Sequence, residues 1–129
     1  MTEQDLAMDI LIYSIDEKLF GVEIGKVQSV ISSVEVTELP NVPHCFLGAI
    51  NVHGELILVL NLRHLFGMPA KELDITDQFI LCTIRQNLMA LWVDDVKDIR
   101  HLDAKELISL EKIFQTDRDF LLWLKRKIR

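Results

Sequence analysis

At 129 residues, with 50% hydrophobic and 26% charged residues, the chain has the composition of one globular domain that buries a core without disulfides, and this excludes a disordered chain. Fourteen Lys plus Arg against twenty Asp plus Glu leave a net charge of −6, which removes the basic surface that nucleic-acid binding needs. The cysteines, Cys45 and Cys82, sit in or beside apolar segments and read as small hydrophobes of a reducing cytoplasm, and the acidic start MTEQDLAMDI, with apolar runs broken before about 18 residues, argues against a secretory signal or direct membrane insertion.

In chain order, residues 10–15 form an apolar run that suits a strand covered on both faces, and Asp16-Glu17-Lys18 turns the chain. Phe20, Val22 and Ile24 then alternate with Gly21, Glu23 and Gly25, which predicts a strand with one face inward and the other toward water or a partner. From Gly25 to Ile31 the spacing of Val27, Val30 and Ile31 is helical, while Val30-Ile31 also reads as the start of a strand; both readings stay open. Residues 34–39 are extended and enter the Pro40-Asn41-Val42-Pro43 loop.

The stretch LPNVPHCFLGAINVHGELILVLNLRHLFG, residues 39–67, predicts a hairpin with its flanks: a strand over 47–52, a turn at His53-Gly54, a return strand over 55–60 and a short amphipathic turn over 62–66. A second hairpin, 79–84 with 88–93, flanks Arg85-Gln86-Asn87 and runs into Asp94-Asp95-Val96. Asp94, Asp95, Asp98 and Asp103 read as a solvated acidic rim, since the Asp-x-Asp-x-Asp-Gly spacing of a calcium loop is absent. Near the end, Phe120, Leu121, Trp123, Leu124 and Ile128 make one apolar helical stripe, which predicts a helix over 117–127. Its basic end, Lys125-Arg126-Lys127 and Arg129, complements a helix dipole without any lipid partner. Many short strands and few helical stretches give a mainly β chain built from small barrels.

The loop, glycine, Asn-x-x-Gly turn, apolar return strand and Asn61-Leu62-Arg63 exit resemble the central segment of the CheW family of bacterial chemotaxis coupling proteins. The resemblance covers about residues 8–105. It implies two interleaved SH3-like β-barrel subdomains, the first completed by strands from near the C-terminus. Residues 106–129 depart from the family pattern, so that the first barrel is expected to be incomplete and to need cover from the C-terminal helix, a swapped strand or a second copy in a homodimer.

The resemblance also implies partners: the signalling tip of a chemoreceptor (a methyl-accepting chemotaxis protein) and the regulatory domain of the CheA histidine kinase, both reached from the cytoplasm at membrane receptor arrays. Val22, Val27, Val30, Ile31 and Val96 correspond to the groove between subdomains where a receptor tip docks. Ser29, Asn51, His53 and Gly54 correspond to the kinase contact. The family turn is commonly Asn-Leu-Arg-Gly, and here His53 replaces the arginine fork with a smaller ring. Ser29 stands where an acidic residue is common, so its charge partner is missing as well. The competing reading is that Asn51 and Gly54 simply build the turn.

The implied activity is non-enzymatic coupling without cofactor or metal; the alternative is a divergent scaffold or competitor with a lost or altered kinase contact. A small hydrolase or ligand-binding barrel using His44, Cys45 or His53 is the reading from another class. Against it, adjacent strand residues such as His44 and Cys45 point to opposite faces, and no Ser-His-Asp pattern, phosphate loop or paired acids is present. The four histidines, His44, His53, His64 and His101, and the two cysteines show no CxxC, HxxxH or HExxH spacing, so a metal site would need distant segments.

Overall fold

The computed structural model describes residues 8–84 and 86–102. Strand β1 (Met8–Ile15) turns through Asp16 and Glu17, both at positive φ (51° and 67°), into β2 (Lys18–Glu23). Two successive left-handed residues match the twist of an antiparallel pair, which is why so short a turn suffices. On the other side β1 pairs with β8 (Asp95–Leu102), making a three-stranded sheet in the order β2-β1-β8. Its central strand is buried from Ile10 through Ile15, as the apolar run predicts. The expected water-facing side of β2 is covered at Gly21, over which Ile10 and Ile12 pack.

A 3-10 turn, Ile24–Lys26, leads to β3 (Val27–Ser32). The ambiguous segment is therefore a turn followed by a strand, and a bulge explains its helical spacing. The register shifts between Val27 and Ser29, so that Val27 faces Cys82 and Val30 faces Ile80. Cys82 and Ile80 are two apart on one face of their strand, and the extra residue therefore brings Val27 and Val30, three apart, onto a common face.

β3 joins a second sheet with β4 (Phe46–Val52), β5 (Glu55–Leu60), β6 (Gln78–Ile84) and β7 (Asn87–Val93), in the order β3-β6-β7-β5-β4. The β5–β7 pairing is parallel and the others are antiparallel. A one-turn helix, α1 (Leu62–Leu65), follows β5 and is capped by Asn61, whose Oδ1 accepts from the His64 amide. An isolated bridge pairs Thr37 with Ala49 beside Gly48, where a Cβ would collide with the Thr37 carbonyl oxygen and stand 2.9 Å from Val36 Cγ1. Among the described residues no helix is long and apolar enough to cross a membrane. The segment 106–129 and its expected helix lie outside the described residues.

Both faces of the second sheet are buried, which accounts for the nearly continuous apolar run FILC in β6. One face packs on the first sheet: Leu11, Tyr13, Phe20 and Val22 meet Leu60, Ile80, Leu91 and Val93. Tyr13, Phe20 and Phe66 stack in series, with centroids 5.7 and 4.8 Å apart. The other face encloses a second core of Ile50, Ile57, Val59, Phe79, Leu81 and Trp92. The mainly β architecture in two units that the sequence predicts is thus the architecture observed.

Where the chain crosses from the second sheet to the first, a buried arginine gathers three segments. Arg63, 4% exposed, donates from Nη1 to Asp16 Oδ1 and from Nη2 to Asp94 Oδ1, each at 2.6 Å. Asp94 Oδ2 accepts from the Asp16 amide at 2.8 Å, and its own amide donates to the Ser14 carbonyl at 3.0 Å. Burial works against the charged guanidinium, but the hydrogen bonds and charges of Asp16 and Asp94 outweigh it and hold its pKa above the ordinary value. This corrects the expectation of a wholly solvated acidic rim: Asp95 and Asp98 are exposed, whereas Asp94 is a structural acceptor. Asp103 lies outside the described residues.

A buried acid adjoins this junction. Asp77, 2% exposed, accepts from Lys71 Nζ at 2.9 Å and from the Trp92 indole at 2.9 Å, and Lys71 also stands 3.7 Å from Asp94. The loop before β6 is tied by these contacts to both β7 and the junction.

Two outcomes follow for denaturant unfolding. Arg63→Ala strands two carboxylates that are only partly exposed, and it lowers stability by about 2–4 kcal/mol, with Asp94→Asn costing less; a change within about 0.5 kcal/mol contradicts the junction's role. Gly48→Ala forces the Thr37–Ala49 bridge apart and costs about 3 kcal/mol or more, while a neutral result contradicts the close approach.

Candidate protein-contact surfaces

The β4–β5 hairpin carries the turn predicted to meet a kinase. Val52 faces Glu55 and Asn51 faces Leu56, leaving His53 and Gly54 as the two-residue loop. Both have positive φ, 52° and 85°, the arrangement that favours glycine at the second position. The Gly54 amide donates to Asn51 Oδ1 at 2.8 Å, so Asn51 and Gly54 build the turn. His53 is exposed at its apex.

Beside it lies a residue that sequence reading missed. Leu56, Leu58 and Leu60 share one face of β5; Leu60 is buried between the sheets, Leu58 is half-buried and Leu56 is 70% exposed. Next to Leu58 in the parallel register stands the half-buried Met89. The apolar run in ELILVL was visible, but where the cover of the first sheet ends is a tertiary fact.

Ser29 lies elsewhere. It faces Leu81, on the side of the second core, and β3 and β4 are the two edge strands of the sheet order. Among the described residues no hydrogen bond joins Ser29 to the 51–54 turn. Ser29 therefore lies on one edge strand, β3, and the 51–54 turn follows the other, β4.

The five residues expected to line a receptor groove divide by face. Val22 is 1% exposed and belongs to the core between the sheets. Val27 and Val96 are half-buried against that core, and Val30, on the face of Val27, is 36% exposed. The Val96 amide donates to Gln78 Oε1 at 2.7 Å, which holds the start of β8 beside the start of β6. Val27 and Val96, one from each sheet, thus pack against the core that holds Val22, and Val30 shares the face of Val27. Ile31 turns the other way and packs on the second core.

The groups with reactive chemistry are dispersed. Cys82 is buried, and desolvation pushes its thiol up to about 12, so it carries no thiolate at neutral pH. Cys45 is half-buried against the core while its neighbour His44 is exposed. His101 Nδ1 lies 2.7 Å from Asp9 Oδ1 on the surface. His44 and His64, distant in sequence, come within 6.2 Å between ring centroids. Among the described residues no group of three or more His, Cys, Asp or Glu is placed to hold a metal ion.

Comparison with known proteins identifies the architecture. The chemotaxis protein CheW of Klebsiella aerogenes is 25% identical over 104 residues, covering 81% of this chain and 63% of that protein. The chemotaxis protein CheW of Bacillus subtilis is 23% identical over 110 residues, covering 85% of this chain and 70% of that protein. The chain therefore spans slightly less than two thirds of the Klebsiella relative. The crystal structure of the scaffolding protein TtCheW from Thermoanaerobacter tengcongensis superposes with a TM-score of 0.70 at 28% identity, covering 76% of this chain and 67% of that one. Residues 9–122 match the model of the CheW-like domain, and the chain belongs to that family.

Proposed function

We propose that the chain is a non-enzymatic adaptor of bacterial chemotaxis that couples chemoreceptor signalling tips to the regulatory domain of the CheA histidine kinase. The observation that carries this reading is family membership over nearly the whole chain, joined to an exposed, rigid hairpin turn at 51–54. The chain works in the cytoplasm and reaches receptor arrays through its partners. It acts by geometry: one surface holds the receptor, another holds the kinase, and the rigid body between them makes each binding event report on the other.

In this reading the receptor helix tip docks at the seam, on Val27, Val30 and Val96, with Val22 and Ile31 supporting those positions from the two cores. An apolar seam accepting an amphipathic helix is a common mode of recognition. The kinase contacts the 51–54 turn, where Asn51 and Gly54 fix the backbone and His53 presents a side chain. Leu56 extends this contact with exposed apolar area. Ser29 contributes from the β3 edge as a separate part of the kinase-facing surface.

The replacement of an arginine by His53 favours a second reading, a divergent scaffold or competitor with a weakened kinase contact. The two are separated by titration calorimetry with purified partners. His53→Arg raises affinity for the kinase regulatory domain about five- to tenfold, the effect of one charge-assisted hydrogen bond. Ser29→Glu, on the opposite edge strand of the sheet order, adds to this gain. Val30→Asp weakens binding of a receptor signalling fragment about tenfold and leaves kinase affinity alone. If His53→Arg and Leu56→Asp both leave kinase binding unchanged, the turn is not the contact.

A further inference from the structure

We infer that His44 and His64 form a two-imidazole site for a divalent transition-metal ion, with zinc as the working case. The two rings lie 6.2 Å apart between centroids at an interplanar angle of 46°, and both side chains are exposed. With a metal–nitrogen bond of about 2.1 Å and a centroid about 1.1 Å behind each nitrogen, two imidazoles on one ion have centroids roughly 5.2 to 6.4 Å apart between tetrahedral and linear angles. The observed separation falls at the wide-angle end of that span, and because both residues are exposed their side-chain torsions are the freedom that narrows the angle.

The backbone beneath both rings is already fixed. The Phe46 amide donates to the Pro43 carbonyl at 3.0 Å, which makes a turn around His44. The Asn61 amide donates to the Cys45 carbonyl at 2.7 Å, tying that turn to the start of α1. Asn61 Oδ1 then accepts from the His64 amide at 3.3 Å. One asparagine therefore ties the two backbone segments together, and the ion has only the two side chains to order.

The surroundings suit a cation of this class. Neutral imidazole selects zinc, copper or nickel over calcium or magnesium, which take oxygen donors. The nearest sequence neighbour with a positive charge, Arg63, is buried and paired with Asp16 and Asp94, so its charge is compensated locally. Among the described residues no third protein ligand joins the pair, and the remaining coordination positions stay open to water or to a donor on a docked protein. Bound metal clips the Pro40–Cys45 loop to α1 beside the Arg63 junction.

The test is calorimetric titration of the full chain with zinc chloride, with the histidine resonances followed by NMR. The inference predicts one zinc per chain, affinity lowered about tenfold or more in His44→Ala and in His64→Ala, and no change in His53→Ala. The shifted resonances are those of His44 and His64. Both variants alter exposed side chains, and an unchanged circular dichroism spectrum separates loss of the ligand from loss of the fold. Absence of zinc binding, or binding that survives both substitutions, overturns the site. Binding abolished by Cys45→Ser but retained in His64→Ala also overturns it, since the ligand is then the thiolate.

Discussion

Two charge-assisted hydrogen bonds from one buried guanidinium hold this molecule in register. Arg63 reaches Asp16, 47 residues before it, and Asp94, 31 residues after it, and Asp94 in turn accepts from the amide of Asp16. Arginine suits this place because its planar guanidinium donates from two separate nitrogens, one to each carboxylate, in a fixed geometry. A buried cation without partners is costly, so helix α1, the β1–β2 turn and the crossover between β7 and β8 are constrained to meet. That meeting point is where the chain leaves the second sheet and enters the first.

The surfaces proposed for partners follow from this constraint. The first sheet packs on the second through a shared core in which Tyr13, Phe20 and Phe66 stack in series, and Val27 and Val96 are half-buried against it, with Val30 on the face of Val27. The 51–54 hairpin projects from a different edge of the second sheet. Lys71, shared between Asp77 and Asp94, connects the loop before β6 to the same junction. A receptor held at the seam and a kinase held at the turn would then be read through one rigid body rather than two independently moving halves.

How far the sequence disclosed this depends on the range of each interaction. Hairpins were legible because their signals are local: Asp16-Glu17 and His53-Gly54 interrupt apolar runs of strand length, and the observed turns occupy those residues. The segment after Gly25 was not legible, since a bulge at Gln28 mimics helical spacing within a strand. Asp94 read as solvated because its partner lies 31 residues away and sequence shows charge without placement. For the same reason the exposure of Leu56, the separation of Ser29 from His53 and the approach of His44 to His64 emerged only from the folded chain. The apolar character of Val27 and Val30 was plain, while the face they share depended on the bulge.

The central claim is that one body holds a receptor tip and a kinase domain at the same time. The most direct test is size-exclusion chromatography with light scattering on the full chain mixed with a receptor signalling fragment and a chemotaxis kinase regulatory domain. The account predicts a ternary complex containing all three chains, with each binary complex also stable enough to observe. Failure to bind either partner, or mutually exclusive binding of the two, would contradict it.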